Sequence, residues 1–169
     1  MSAPSPVAVV DVLLQINVDV DFNPAFGLAG GAVGAFLTTL VVGAILVALA
    51  PDYTTARMTA GVENPLGAFV YGILVFLFLA LATFILAITL IGIIVALPLA
   101  LLLYVLWALG STIAFLAIAD RLVGHEDGWT KPLVVAAAIN GGLAFTGIGG
   151  ILAFVVGAVG FGVVLADVF

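Results

Sequence analysis

Charged residues are so rare in this chain that their positions define most of its architecture. Twelve residues are charged at pH 7, and they leave uncharged intervals at residues 22–51, 64–119 and 132–166, which are 30, 56 and 35 residues long. An α-helix needs about 20 apolar residues to cross a bilayer. The first interval therefore fits one crossing, the second fits two, and the third fits two short ones. The chain is predicted to be an all-α, polytopic integral membrane protein with four or five transmembrane segments.

The composition excludes several classes of protein. Apolar residues make up 66% of the chain and charged residues 7%, whereas a soluble domain carries about 25% charged residues. Three basic residues against nine acidic ones cannot neutralise a phosphate backbone, so we expect no nucleic-acid partner. The chain has no cysteine, which excludes disulfides, thiolate metal sites and cysteine nucleophiles.

Prolines and glycines divide the apolar intervals into segments. Asn64 is expected to cap the second segment, and Pro98 is expected in the first turn of the third, where its missing N–H costs little. The last two segments are short, so they either cross a thinned bilayer or form a re-entrant pair. Residues 1–24 are predicted to be an interfacial or partner-facing segment, and residues 25–169 the helical membrane domain. The predicted segments are 25–50, 65–88, 97–119, 132–146 and 150–167.

The three basic residues predict the orientation. Arg57 follows the first segment, and Arg121 and Lys131 lie between the third and the fourth. With five crossings these connections, which we take to be loops, share one side of the membrane. The positive-inside rule then places that side in the cytoplasm of a multi-pass cell-membrane protein.

A short pattern, T-x-I-G-x-I, occurs twice. It begins at Thr89 and again at Thr146, 57 residues later, and places glycines at Gly92 and Gly149. Both copies fall where a helical hairpin is predicted to turn. A threonine hydroxyl can bond the backbone groups that the turn frees, and glycine permits the backbone angles of a turn. We therefore interpret residues 65–119 and 132–167 as two parallel hairpins, although chance recurrence in such an apolar chain is the simpler reading.

Small residues recur at helical spacing in the first and last segments. They form a GxxxG step in the first and small-xxx-small steps in the last, which let helix backbones approach closely within one chain or between chains. Asn140 is the costliest polar residue within a segment, and we expect it to bond across helices. The candidate packing residues are Gly30, Gly34, Ala158, Gly162 and Ala166.

No residue pattern indicates catalysis, a metal or a cofactor. Asp19, Asp21 and Asn23 have the spacing that opens a calcium loop, but Pro24 and Gly30 stand where that loop needs glycine and glutamate. His125 is the only histidine and is interpreted as a surface loop residue. Ser111 has no acid–base context that would make it a nucleophile. We therefore predict a non-enzymatic protein without cofactors.

The chain resembles the small multi-pass membrane domain associated with bactofilin-type, polymer-forming cytoskeletal proteins. The likeness begins at Gly27 and lies in a glycine-rich first helix that ends in proline, a Pro-to-Gly start of the second, a T-I-I-G-I-P-type turn, and a final pair with a glycine turn. The turn departs from that pattern because Pro98 comes later than usual. We also expect no β-helix before the membrane part, so that any polymer-forming role would come from a separate partner. The corresponding residues are Gly30–Pro51, Pro65–Gly72, Thr89–Pro98 and Pro132–Gly150.

Two functions from different classes remain open. The first is a non-catalytic scaffold that self-associates among membrane lipids through its small-residue steps. The resemblance implies that such a scaffold has no catalytic residues and anchors a separate cytoskeletal or surface partner. The alternative is a channel or small-molecule carrier with a glycine-lined path. Aspartate outnumbers glutamate seven to two and the net charge is −6, a bias that is similar to that of salt-adapted haloarchaeal proteins.

Overall fold

The computed structural model describes residues 24–89 and 92–166, of which 91% are helical. This part of the chain forms six helices and no strand, so the prediction of an all-α fold is confirmed. The side chains are described from residue 27 onward, and the predicted N-terminal segment and the Asp19–Asn23 pattern lie outside the described residues. The helices are α1 (Pro24–Leu49), α2 (Pro51–Glu63), α3 (Pro65–Ala87), α4 (Gly92–Val123), α5 (Thr130–Phe145) and α6 (Ile148–Leu165).

Four of these helices are long and apolar enough to cross a membrane: α1 from Gly27, α3, α4 and α6. The fifth apolar helix, α5, has 16 residues and is about 24 Å long at 1.5 Å per residue. The observed bounds lie within two residues of the predicted ones for α1, α3, α5 and α6. Asn64 caps α3 as expected, because its side-chain oxygen accepts a hydrogen bond from the Gly67 N–H at 3.0 Å.

Two local predictions were wrong. Residues 51–63, expected to be a loop, form helix α2, which begins at Pro51 and carries Asp52, Arg57 and Glu63. Helix α4 begins at Gly92 rather than at residue 97, so Pro98 lies inside it. Proline within a membrane helix is tolerated because neighbouring groups can satisfy the freed carbonyl.

Helix α4 and the last two helices, α5 and α6, form the core of the described bundle. Helix α6 packs against both α3 and α4, while α1 packs mainly against α5. Phe115, Leu116, Ala136 and Phe161 are all fully buried. The opposite faces of α1, α3 and α4 are covered with exposed leucine, isoleucine, valine and phenylalanine, as expected of surfaces that face lipid.

The polar connections lie at one end of the bundle. Helix α2 packs on the last turns of α4, and Met58 contacts the buried core there. Arg57 and Arg121 line the same cleft between α2, α4 and α6. The two connections that the sequence analysis placed on one side of the membrane therefore do lie together, whereas their cytoplasmic location stays a prediction.

Candidate functional site

The small residues of α6 form a close seam with α3. Ala158 and Gly162 are buried. A Cβ atom on Gly162 would collide with the carbonyl oxygen of Ala68 and lie 2.9 Å from the amide nitrogen of Gly72. A Cβ atom on Gly72 would in turn lie 2.8 Å from the nitrogen of Gly162. Each glycine therefore makes room for the backbone of the other helix, and this ridge is used within one chain. Ala166, one turn further along, is exposed.

A second seam joins α6 to α4. A Cβ atom on Gly110 would lie 2.6 Å from the carbonyl carbon of Gly160, and one on Gly160 would collide with the Gly110 carbonyl group. Sequence analysis missed Gly72, Gly110 and Gly160. An isolated glycine within a helix costs about 1 kcal/mol relative to alanine, so its presence can indicate close packing of a neighbouring helix. The sequence does not show which helix that is, and only the fold does.

Aromatic rings lie beside this second seam. Trp107 stacks on Phe154 with centroids 5.1 Å apart, and Phe76 meets Phe161 edge to face at 6.1 Å. A Cβ atom on Gly157 would lie 2.9 Å from the Trp107 ring. The glycine thus lets the indole approach α6 closely, and the rings bring α3, α4 and α6 together.

The glycines of α1 are in a different environment. Gly30 and Gly34 are exposed, and Cβ atoms on them would meet no described residue within 4 Å; the same holds for Gly27 and Gly31. Leu37, Val41 and Ile45 continue this exposed face towards the other end of the helix. We call the set Gly30, Gly34, Leu37, Val41 and Ile45 the outer face of α1. None of its glycines is used for packing among the described residues.

The opposite side of α1 packs against α5. Gly43 lies against Leu133, and Gly141 of α5 lies against Ala32 and Phe36. Asn140 donates a hydrogen bond from Nδ2 to Oγ1 of Thr39 at 2.8 Å, and Thr39 is buried. Asn140 thus bonds across helices, in a position where an unpaired amide would be costly.

Both T-x-I-G copies form the same hydrogen bonds. The hydroxyl of Thr89 donates to the Leu86 carbonyl at 3.0 Å and accepts from the Gly92 N–H at 2.9 Å. The hydroxyl of Thr146 donates to the Leu143 carbonyl at 3.0 Å and accepts from the Gly149 N–H at 3.1 Å. Each threonine therefore links the end of one helix to the start of the next.

The reason for glycine in these turns differs from the one expected. A Cβ atom on Gly92 would collide with the Leu86 carbonyl, and one on Gly149 with the Leu143 carbonyl. Among the described residues, positive φ angles occur at Gly124, Gly128 and Gly147, and neither Gly92 nor Gly149 is among them. In the second turn that angle belongs to Gly147, at 66°. The requirement at Gly92 and Gly149 is therefore for space between the two helix ends.

Polar side chains within the helices mostly bond to their own helix. Thr83 donates to the Leu79 carbonyl at 2.7 Å, and Ser111 to the Ala108 carbonyl at 3.2 Å. The Thr112 hydroxyl is buried without a partner in the described part of the chain. His125 lies in the α4–α5 connection, where it bonds to Asp120 and stacks on Trp129 at 4.5 Å. Within the described residues, no group of three or more His, Cys, Asp or Glu is placed to hold a metal ion.

Comparison with known proteins identifies a family but no characterised relative. The family model described as a domain of unknown function, DUF8173, matches residues 4–169. No curated protein sequence and no solved structure matches the chain. A match over nearly the full length, on a chain with this helical membrane architecture, shows membership: the protein belongs to the DUF8173 family.

Proposed function

We propose that this protein is a non-catalytic scaffold of the cell membrane that self-associates through the outer face of α1. The observation that carries the proposal is the exposure of Gly30 and Gly34 on that face. Glycine costs about 1 kcal/mol relative to alanine within a helix. In α6 the close contacts with α3 and α4 offset that cost, whereas at Gly30 and Gly34 of α1 the described residues provide no such contact.

The two sides of α1 are well separated around the helix. Thr39 and Gly43 face α5 and α4, while Gly34, Leu37 and Val41 are exposed. Residues spaced by three or four share a helix face. The outer face is therefore one continuous stripe, with small residues at its N-terminal end and branched apolar residues beyond them. In lipid, helices associate by van der Waals packing, and small residues allow the closest contact.

A second copy of the chain is the partner that this stripe fits best. Two such helices crossing at Gly34 would present the same surface to each other, which is the self-complementarity of a two-fold dimer. An anchoring role for a cytoskeletal or surface partner, including a bactofilin-like one, is an extension of this proposal. It draws on the sequence resemblance alone.

The carrier alternative has weaker support. A polar path needs side chains that converge on a cavity, but Thr83 and Ser111 bond to carbonyls of their own helices. The buried glycines of α6 contact α3 and α4. A continuous water-filled path through a purified oligomer would favour the channel or carrier function.

Disulfide cross-linking in native membranes tests the scaffold directly, because the chain has no cysteine of its own. We expect Gly34→Cys to form a covalent dimer under mild oxidation, since a disulfide requires Cα atoms about 4.4–6.8 Å apart. Gly142→Cys is the matched control: Gly142 is also an exposed glycine, in α5, and it lies outside the proposed interface.

Native mass measurement of the Leu variants completes the test. Gly34→Leu should give a folded monomer, and Gly142→Leu should retain the mass of the wild-type assembly. A wild-type protein that is monomeric in several lipid-like environments, or equal cross-linking at residues 34 and 142, would contradict the proposal.

A further inference from the structure

A cleft between α2, α4 and α6 combines an apolar wall with two arginines at one end. Its volume is about 260 Å³. Ile113 and Ile118 of α4 and Val156 and Val159 of α6 form much of the wall. Ile118, Val156 and Val159 are only partly buried, so the cleft communicates with the surroundings of the bundle.

The charge of this cleft differs from that of the whole protein. The chain carries nine acidic and three basic residues. Two of the three basic residues, Arg57 and Arg121, nevertheless line this one cleft. They come from different helices, α2 and α4, so the fold rather than the local sequence brings them together. The remaining basic residue, Lys131, forms an exposed ion pair with Asp127 at 2.8 Å.

The arginines mark the end of the cleft that lies at the membrane surface. Arg121 is in the last turn of α4. Ile113, at the other end of the wall, lies eight residues earlier, or about 12 Å along the helix axis at 1.5 Å per residue. That depth is less than half of a hydrocarbon core of about 30 Å. The cleft thus extends from headgroup level into one leaflet.

We propose that this cleft binds an anionic membrane lipid, with the headgroup phosphate at Arg57 and Arg121 and the upper part of one acyl chain along Ile113, Val156 and Val159. Guanidinium groups bind phosphate oxygens through paired N–H donors. Basic pockets between membrane helices are a recurrent way of holding such headgroups. An apolar wall about 12 Å deep is unsuited to a free anion, which would leave that wall exposed.

Lipid binding to the full-length protein in mild detergent, measured by native mass spectrometry, tests the proposal. We expect stoichiometric binding of phosphatidylglycerol and markedly weaker binding of phosphatidylcholine with the same acyl chains. Arg57→Gln and Arg121→Gln should each weaken phosphatidylglycerol binding about fivefold, as expected for one basic group near an anionic headgroup. The double variant should lose about 25-fold if the effects add. Lys131→Gln is the charge-matched control and should bind like wild type.

A second pair of variants tests the apolar wall without changing the charge. Val159→Phe should fill the cleft and reduce phosphatidylglycerol retention at least fivefold. Val155→Phe, one turn earlier on the same helix and exposed, should not. The thermal midpoint of each variant, measured without lipid, shows that it is folded. If one arginine variant fails to fold, the other and Val159→Phe still decide the question.

Three outcomes would overturn the proposal. One is equal loss of binding in Lys131→Gln and in the arginine variants, which would indicate general electrostatic attraction. The second is displacement of the lipid by millimolar inorganic phosphate with the same dependence on arginine, which would indicate a free-anion site. The third is phosphatidylglycerol binding that is unchanged in Val159→Phe and is seen in the monomer but not in the dimer. This result would indicate that a second copy of the chain covers the cleft.

Discussion

The first and last membrane helices carry similar small-residue steps, yet the fold uses them differently. Gly162 of α6 lies against the backbone of α3, whereas Gly34 of α1 lies on an exposed face, where a Cβ atom would have no neighbour within 4 Å in the described part of the chain. Both helices carry a small-residue step at four-residue spacing, and the position of each helix in the bundle decides how that step is used. A GxxxG-type step therefore indicates a capacity for close approach and leaves the partner undefined.

Substitution of Gly162 should have the largest effect, because the new side chain would meet backbone rather than a movable side chain. Gly162→Leu is expected to destabilise the fold by about 3 kcal/mol or more, at the upper end of overpacking effects. The yield of monodisperse protein and the unfolding midpoint in detergent measure this. A well-folded Gly162→Leu variant that only loses mass would mean that the α6 ridge is also an interface between chains.

Substitution of the hairpin glycines should have the next largest effect on stability, because each glycine leaves space for a carbonyl group of its own turn. Gly92→Val and Gly149→Val place a branched side chain against the Leu86 and Leu143 carbonyls, respectively. We expect each to lower the free energy of unfolding by about 1–3 kcal/mol. Gly150→Val, at an exposed neighbouring position with open space, is the control. Similar losses at residues 92 and 149 would support the repeat as a structural unit, while wild-type stability in both would reduce it to coincidence.

Loss of the Asn140–Thr39 hydrogen bond, which joins α5 to α1, should lower the free energy of unfolding by a smaller amount. Interhelical hydrogen bonds in membranes average about 0.6 kcal/mol and reach about 1.7 kcal/mol. A double-mutant cycle with Asn140→Leu and Thr39→Val should give a coupling energy in this range, measured by reversible unfolding in mixed micelles. A coupling of zero would show that the bond contributes nothing to the attachment of α1 to α5.

Gly34→Leu should have the smallest effect on the stability of the monomer. The side chain would point into open space, and leucine is a better helix former than glycine by about 0.5–1 kcal/mol. The unfolding midpoint of the monomer should therefore be unchanged or slightly raised while the assembly dissociates. A strongly destabilised Gly34→Leu monomer would remove the distinction between the two helices.

The sequence predicted the membrane helices well where apolar length and local caps decide the structure. The cap at Asn64 and the hairpin turns at Thr89 and Thr146 depend on residues three positions apart, so they can be read from the chain itself. Helix α2 was missed because Asp52, Arg57 and Glu63 interrupt the apolar pattern. The start of α4 was misplaced because Pro98 suits the first turn of a helix and is also tolerated inside a membrane helix.

The sequence by itself therefore determined that this is a helical membrane protein with paired turns and its basic residues at one end. Those properties follow from hydrophobic length and from contacts within a few residues. The tertiary structure decided which glycines are buried, since the cost of a Cβ atom depends on the helix that faces it. It also decided that Arg57 and Arg121, 64 residues apart in the sequence, line one cleft. Neither fact has a local signal, because both depend on the relative placement of α2, α4 and α6.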